Sequence, residues 1–129
     1  MTDAELGKLC ILALAHVGDA VYELLVRTLL AERGVATALQ LHRETVARVK
    51  APAQAKAAAV ILPHLTEAEH DVYRRGRNSH VNTVPHGSTP GQYHAATAVE
   101  AVFGWLWLRG EHERARELFG YITEDYDAA

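Results

Sequence analysis

Asp19 and Glu100 are the residues whose type and setting most clearly carry chemistry. Residues 95–108 read AATAVEAVFGWLWL, in which Glu100 is the single charge. Asp19, directly after Gly18, interrupts a second apolar stretch, LCILALAHVGDAVYELLV. A buried carboxylate is costly unless a hydrogen bond, a counter-charge or a metal compensates it. Two acids that each break an apolar helix surface predict two halves of one oxygen-rich site. Mg²⁺ sites that work on phosphates use few protein carboxylates and leave the remaining positions to water and substrate oxygens. Each acid also has a plainer reading. Asp19 could cap a helix that restarts after Gly18, and Glu100 could pair with an arginine or face solvent. Glu23, four residues after Asp19, shares its helix face; an ion pair with Arg27 is the better reading for it than a place in the site.

Other groupings are weaker. Arg74, Arg75 and Arg77, followed by Asn78, form a basic cluster that suits phosphate contacts or, more plainly, a solvated charged face. Arg43, Arg48, Lys50 and Lys56 add scattered positive charge. Eight histidines raise the question of zinc, yet His80, His86 and His94 have neither a cysteine partner nor a paired-histidine spacing. His70-Asp71 is a dyad of the kind metal phosphohydrolases use, but no further ligands stand in helical register with it. Trp105 and Trp107 fit a core or a subunit interface.

The elements that must position these residues are helical. Thr2-x-x-Glu5, Thr37-x-x-Gln40 and Thr66-x-x-Glu69 each match a capping box, a start signal that satisfies free amide groups of the first turn. The pattern predicts helices over about 3–33, with a kink near Gly18, then 38–50, 52–63, 67–77, 92–109 and 111–122. Gly34 and Gly110 fit helix stops, and Pro52 fits a first turn. Valine and isoleucine form no alternating runs, so no sheet is predicted. One long loop, residues 78–91 (NSHVNTVPHGSTPG), separates the basic cluster from the helix of Glu100; loops of this length tend to be functional or mobile.

Composition bounds the possibilities. A chain of 129 residues with 49% hydrophobic and 22% charged content fits one soluble domain. Its single cysteine, Cys10, excludes an intrachain disulfide framework and agrees with a reducing compartment. The start lacks the basic region of a signal peptide, and no charge-free run is long enough for a membrane span. The expected location is cytoplasmic. Net charge is −3, but six of the 16 acids and two of the 13 bases fall within residues 111–129, leaving 10 acids against 11 bases elsewhere. The acidity is terminal, the body is nearly neutral, and contact with nucleic acid through local patches remains open.

Residues 12–30, LALAHVGDAVYELLVRTLL, resemble the signature helix of ribonuclease III catalytic domains, with its Gly-Asp-Ala-Val run. Residues 97–108, TAVEAVFGWLWL, resemble the second acidic helix of that family. The intervening RRGRNSHVNTVPHGSTPGQYHAATA is similar to the compact mini-ribonuclease III subfamily, which has the dimeric catalytic domain without a double-stranded-RNA-binding domain. The resemblance covers roughly residues 5–122, with an acidic tail after it. It implies an all-α, homodimeric, single-domain endoribonuclease that cuts double-stranded RNA to a 5′-phosphate and a 3′-hydroxyl. Asp19 and Glu100 would be the catalytic and metal-binding carboxylates for Mg²⁺, with Mn²⁺ as a substitute. The implied substrate is precursor large-subunit ribosomal RNA, and a ribosomal protein is a possible helper.

The chain departs from the larger family members. Where they carry glutamates seven and four residues before the signature aspartate, it has Leu12 and Ala15. Where they carry an aspartate three residues before the second-helix glutamate, it has Thr97. Four carboxylates are thereby reduced to two, which implies weaker Mg²⁺ binding completed by water and phosphate. RNA recognition would fall to Arg74, Arg75, Arg77, Asn78 and the loop after them. Two rivals from other classes are a helical RNA-binding module without chemistry and a phosphohydrolase working through His70-Asp71. The residue pattern assigns no role to His16 or His94.

Overall fold

The computed structural model describes residues 1–79 and 86–129, and among these no strand occurs. The elements are α1 (Asp3–Leu6), α2 (Ile11–Glu32), α3 (Ala38–Val49), α4 (Ala51–Ile61), α5 (Glu67–Arg77), α6 (Pro90–Leu108) and α7 (His112–Ala128), with a 3₁₀ turn at Leu62–His64. The helix α6 is apolar around its whole circumference, as a helix buried on all sides must be. Val99, Ala101, Val102, Phe103 and Leu106 on it are fully buried. The helices α2, α4, α5 and α7 pack around it. Tyr22 of α2 meets Phe103 and Phe119 edge-on, with ring centroids 5.3 and 5.7 Å apart, the arrangement that ring quadrupoles favour.

Of the three predicted capping boxes, two form in full. Thr2 with Glu5 and Thr66 with Glu69 form reciprocal capping boxes. Thr37 accepts from the Gln40 amide without the return bond. Gly34 and Gly110 adopt φ of +87° and +81° just past α2 and α6, the left-handed stop expected of them. A further capping box, Thr89 with Gln92, starts α6 at Pro90, two residues earlier than the sequence pattern suggests. Part of the predicted loop is therefore helix, and residues 80–85 of it lie outside the described residues.

Two expectations need correction. The first helix is not kinked at Gly18. It is broken between Leu6 and Ile11, and α2 runs through Gly18 without interruption. Asp19 is therefore mid-helix and caps nothing. The C-terminal acidic segment is not a tail after residue 122, because α7 continues to Ala128. Arg33 holds Asp127 in a fork of two hydrogen bonds, 3.0 and 2.6 Å, and the Arg48 guanidinium lies 4.3 Å from the Tyr126 ring centre.

The helix α7 is tied to α5 by a buried ion pair. Arg114 donates from Nε to Oε2 of Glu69 (2.9 Å) and from Nη2 to Oε1 (2.8 Å), and also reaches the His64 carbonyl (2.7 Å). Burial alone would raise the pKa of Glu69, but hydrogen bonds from Arg114 and the Thr66 amide outweigh it and hold the group below the usual carboxylate value. Arg114→Ala strands a buried charge and is expected to cost about 3 kcal/mol at neutral pH. Because the folded-state pKa is depressed, the pair's contribution exists above the unfolded value and fades as pH falls through the folded one. Urea denaturation at pH 7 and pH 3 checks this: the variant's deficit should shrink in acid.

Candidate active site

The two candidate carboxylates are brought together by glycine. The helices α2 and α6 run antiparallel in backbone contact: a Cβ placed on Gly18 would lie 1.6 Å from the Glu100 carbonyl oxygen. One turn away, a Cβ on Gly104 would lie 1.9 Å from the Leu14 carbonyl oxygen. Only hydrogen fits at either position. Asp19, one residue past the first crossing point, is exposed, while Glu100 is partly buried. Asp19 lies close enough to Glu100 to act on its carboxyl group, and two ionised groups so placed disfavour each other.

The pKa of Glu100 is consequently raised from 4.5 to about 8, chiefly by burial and then by Asp19; a hydrogen bond from Gln54 opposes the shift. Tyr22 is affected in turn. Its hydroxyl is pushed well above its usual pKa by burial and by the nearby Glu100 charge. Between pH 4.5 and 8 the folded protein holds a proton on Glu100 that the unfolded chain has released. Stability should therefore decline as pH rises across that window and level off above it. Glu100→Gln is expected to remove most of this decline. At pH 8 in EDTA the variant should be more stable than the parent by about 2 kcal/mol, allowing for solvent screening on the open Asp19 side. Urea denaturation of both proteins at pH 5 and pH 8 measures it.

The remaining members of the larger carboxylate set are absent in space as well as in sequence. Leu12 and Ala15 have no ligating atom, and Thr97 is buried with its hydroxyl donating to the Tyr93 carbonyl at 3.1 Å. Among the described residues no three His, Cys, Asp or Glu side chains converge as a metal cage would require. What is present fits a weakly held, hydrated Mg²⁺: two convergent carboxylates, one buried and poised to ionise, and one open to water and phosphate oxygens. Glu23 does not join them. It pairs with Arg27 at 2.9 Å.

Gln54 of α4 reaches Glu100, although sequence reasoning passes over it. Its Nε2 donates to the Val49 carbonyl at 2.8 Å and to Oε2 of Glu100 at 3.4 Å. The available signal was a lone amide in the alanine-rich segment APAQAKAAAV. A cleft of about 490 Å³ opens beside Glu100, between the α3–α4 junction, with Lys50, Pro52 and Gln54, and the beginning of α6, with Tyr93 on it and His86 and Ser88 before it.

The basic cluster ends α5, with Asn78 as its C-terminal cap. Gly76 brings that turn against α6: a Cβ there would be 2.8 Å from Cα of Ala98. Arg74 binds Asp71 at 2.6 Å on the surface, and Arg75 and Arg77 have no carboxylate partner among the described residues. That pair also occupies the acid of the His70-Asp71 dyad, which lines a broad open depression on α5 away from Glu100. His94 Nδ1 is buried without a partner and His16 is exposed. Trp105 lies under the Arg109 guanidinium at 4.5 Å, and Trp107 stacks on His112 at 3.8 Å.

The family model described as the Ribonuclease III domain matches residues 12–111 of this all-helical chain. The chain is 45% identical over 107 residues to Mini-ribonuclease 3 of Symbiobacterium thermophilum, covering 83% of this chain and 82% of that one. It is 48% identical over 110 residues to Mini-ribonuclease 3 of Gloeobacter violaceus, covering 84% and 78%. A crystal structure of a Fusobacterium nucleatum protein superposes with a TM-score of 0.85 at 26% identity, covering 95% of this chain and 98% of that one. The chain belongs to the ribonuclease III family, on its mini-ribonuclease III branch. Among the described residues no helix is long and apolar enough to cross a membrane.

Proposed function

We propose that this protein is a cytoplasmic, Mg²⁺-dependent endoribonuclease that cleaves double-stranded RNA, acting as a homodimer of one catalytic domain spanning residues 1–129. The observation that carries the reading is the backbone approach of α2 and α6 at Gly18, which sets Asp19 beside Glu100 in a chain of the ribonuclease III family. Asp19 and Glu100 would hold Mg²⁺, for which Mn²⁺ substitutes. When bound, the ion supplies Lewis acidity that makes water a competent nucleophile and offsets charge on the phosphate. Asp19 contributes a solvent-facing oxygen and Glu100 a desolvated one, and the crossing at Gly18 keeps both stems from moving during attack. Phosphodiester hydrolysis then leaves a 5′-phosphate and a 3′-hydroxyl. A two-fold dimer would set one site against each strand of a duplex.

The catalytic surface must also recognise the substrate. A-form RNA displays phosphates and 2′-hydroxyls across its shallow groove, so shape counts more than sequence. Arg74, Arg75, Arg77 and Asn78, on the turn held against α6, suit that contact. Replacing the three arginines by alanine is expected to weaken duplex binding and reduce the slope of log affinity against log salt by about 2 to 3. An unchanged slope, measured by filter binding, removes the patch from the reading.

The substrate class proposed is precursor large-subunit ribosomal RNA, with a ribosomal protein as a possible partner. The deciding experiment incubates the protein with a long, perfectly paired RNA and with its single strands, in Mg²⁺ and in EDTA. Mg²⁺-dependent cutting of the duplex alone supports the proposal. Duplex binding without cutting under any divalent ion supports a non-catalytic RNA-binding module instead.

A further inference from the structure

The side chain of Gln54 is 97% withdrawn from solvent (3% exposed), in a helix otherwise filled with alanine and aliphatic residues at its buried positions. Both hydrogens of its amide nitrogen have acceptors, the Val49 carbonyl at 2.8 Å and Oε2 of Glu100 at 3.4 Å. Its Oε1 has none. The orientation follows from these partners. Turned over, the amide would set an oxygen against a carbonyl and a carboxylate, an arrangement with no donor in it.

As packing, glutamine is a poor occupant of this position. An apolar side chain of similar length would fill the volume without burying an unpaired acceptor. What glutamine adds is a rigid link. The short bond to Val49 fastens the amide to the last carbonyl of α3, and the longer one reaches the carboxylate that the site depends on. Hydrogen bonds to an ionised acceptor are shorter and stronger than those to a neutral one, so this contact should tighten when Glu100 carries its charge. Glutamate has several freely rotating side-chain bonds, and restraining them beforehand removes an ordering cost from ligand binding.

We propose that Gln54 is a positioning residue for Glu100, holding one oxygen of its carboxylate from the α3–α4 junction so that the group meets Asp19 and a bound divalent cation in a single orientation. The inference rests on the two-carboxylate reading given above. Gln54 lines the same cleft as Glu100. Its unpaired Oε1 is an acceptor that a donor in the cleft, such as water carried by a hydrated cation, would satisfy.

The test is a titration of the full protein with Mn²⁺ in the absence of RNA, read by electron paramagnetic resonance of the free ion. The proteins compared are the parent, Gln54→Met, Gln54→Leu, Asp19→Asn and Glu100→Gln. Either Gln54 variant is expected to weaken Mn²⁺ binding about tenfold, the lower end of what the loss of a ligand-orienting contact does. The Mg²⁺ concentration for half-maximal duplex cleavage should rise by the same factor, with the rate at saturating Mg²⁺ nearly restored. The thermal unfolding midpoint should stay within about 3 °C of the parent, a shift typical of the loss of a single weak contact. Unchanged Mn²⁺ affinity in whichever Gln54 variant folds overturns the proposal, and a lowered midpoint beside it makes Gln54 a structural residue only. If Asp19→Asn and Glu100→Gln also leave Mn²⁺ binding unchanged, or if the parent binds none, the two-carboxylate site itself is wrong.

Discussion

Asp19→Asn and Glu100→Gln are each expected to lower Mg²⁺-dependent cleavage of a long duplex RNA by about 10³-fold or more, while duplex binding persists. A factor of that size is about 4 kcal/mol of barrier. This site has two carboxylates, since Leu12, Ala15 and Thr97 stand where further acids would help, so neither has a reserve. Both substitutions keep the size of the side chain and remove only its charge. Glu100→Gln should also relieve the crowded pair, so that lost activity will coincide with unchanged or higher stability above neutral pH. The measurement is a gel assay of cleavage beside a binding assay in Ca²⁺ or EDTA. Equal cleavage by parent and variants would end the assignment of these residues.

Gly18→Ala is expected to be strongly destabilising, costing about 4 kcal/mol or more. The added carbon would fall 1.6 Å from the Glu100 carbonyl oxygen and 2.8 Å from the Gly104 nitrogen. Neither atom belongs to a side chain that could turn away, so α2 and α6 must separate along their crossing, and the fully buried Val99, Val102 and Phe103 lose contact with it. Gly104→Ala should behave alike, through the Leu14 carbonyl at 1.9 Å. Gly120→Ala is the control: it lies inside α7 with nothing within 4 Å of the added carbon. There alanine's better helix propensity should give a gain of about 0.5–1 kcal/mol. Urea denaturation of the three variants separates the two classes, and a mild effect at Gly18 would contradict the backbone contact.

The same glycine shows where sequence reasoning succeeds and where it stops. Glycine in a helical pattern marks either a break or a close approach, and local sequence does not distinguish them. The choice at Gly18 is made by α6, some 80 residues later in the chain. The break that does occur, after Leu6, has only a cysteine at the next helix start, with no side-chain bond to announce it. Thr2, Thr37 and Thr66 were legible because capping is a local transaction completed within four residues. Thr89 is the same kind of signal, obscured by a neighbouring Pro-Gly that reads as loop. The acidic end of the chain looked like a solvated tail because Asp127 finds its partner at Arg33, far away in sequence. Asp19 and Glu100 were visible as charges in apolar surroundings, and the crossing at Gly18 brings their helices together. Gln54 was passed over, because a lone amide among alanines stands out without showing what it will touch.

The glycine crossing has a consequence for how this domain can vary. Elsewhere between packed helices, side chains act as spacers, and exchanging a larger one for a smaller one retunes the separation by fractions of an ångström. Between α2 and α6 at Gly18 and Gly104 there is no spacer to exchange, so the gauge of the site has no adjusting screw. Lineages or libraries that alter its ligand preference must do so by lengthening or shortening the arms, aspartate for glutamate or the reverse, while the two helix axes stay where they are.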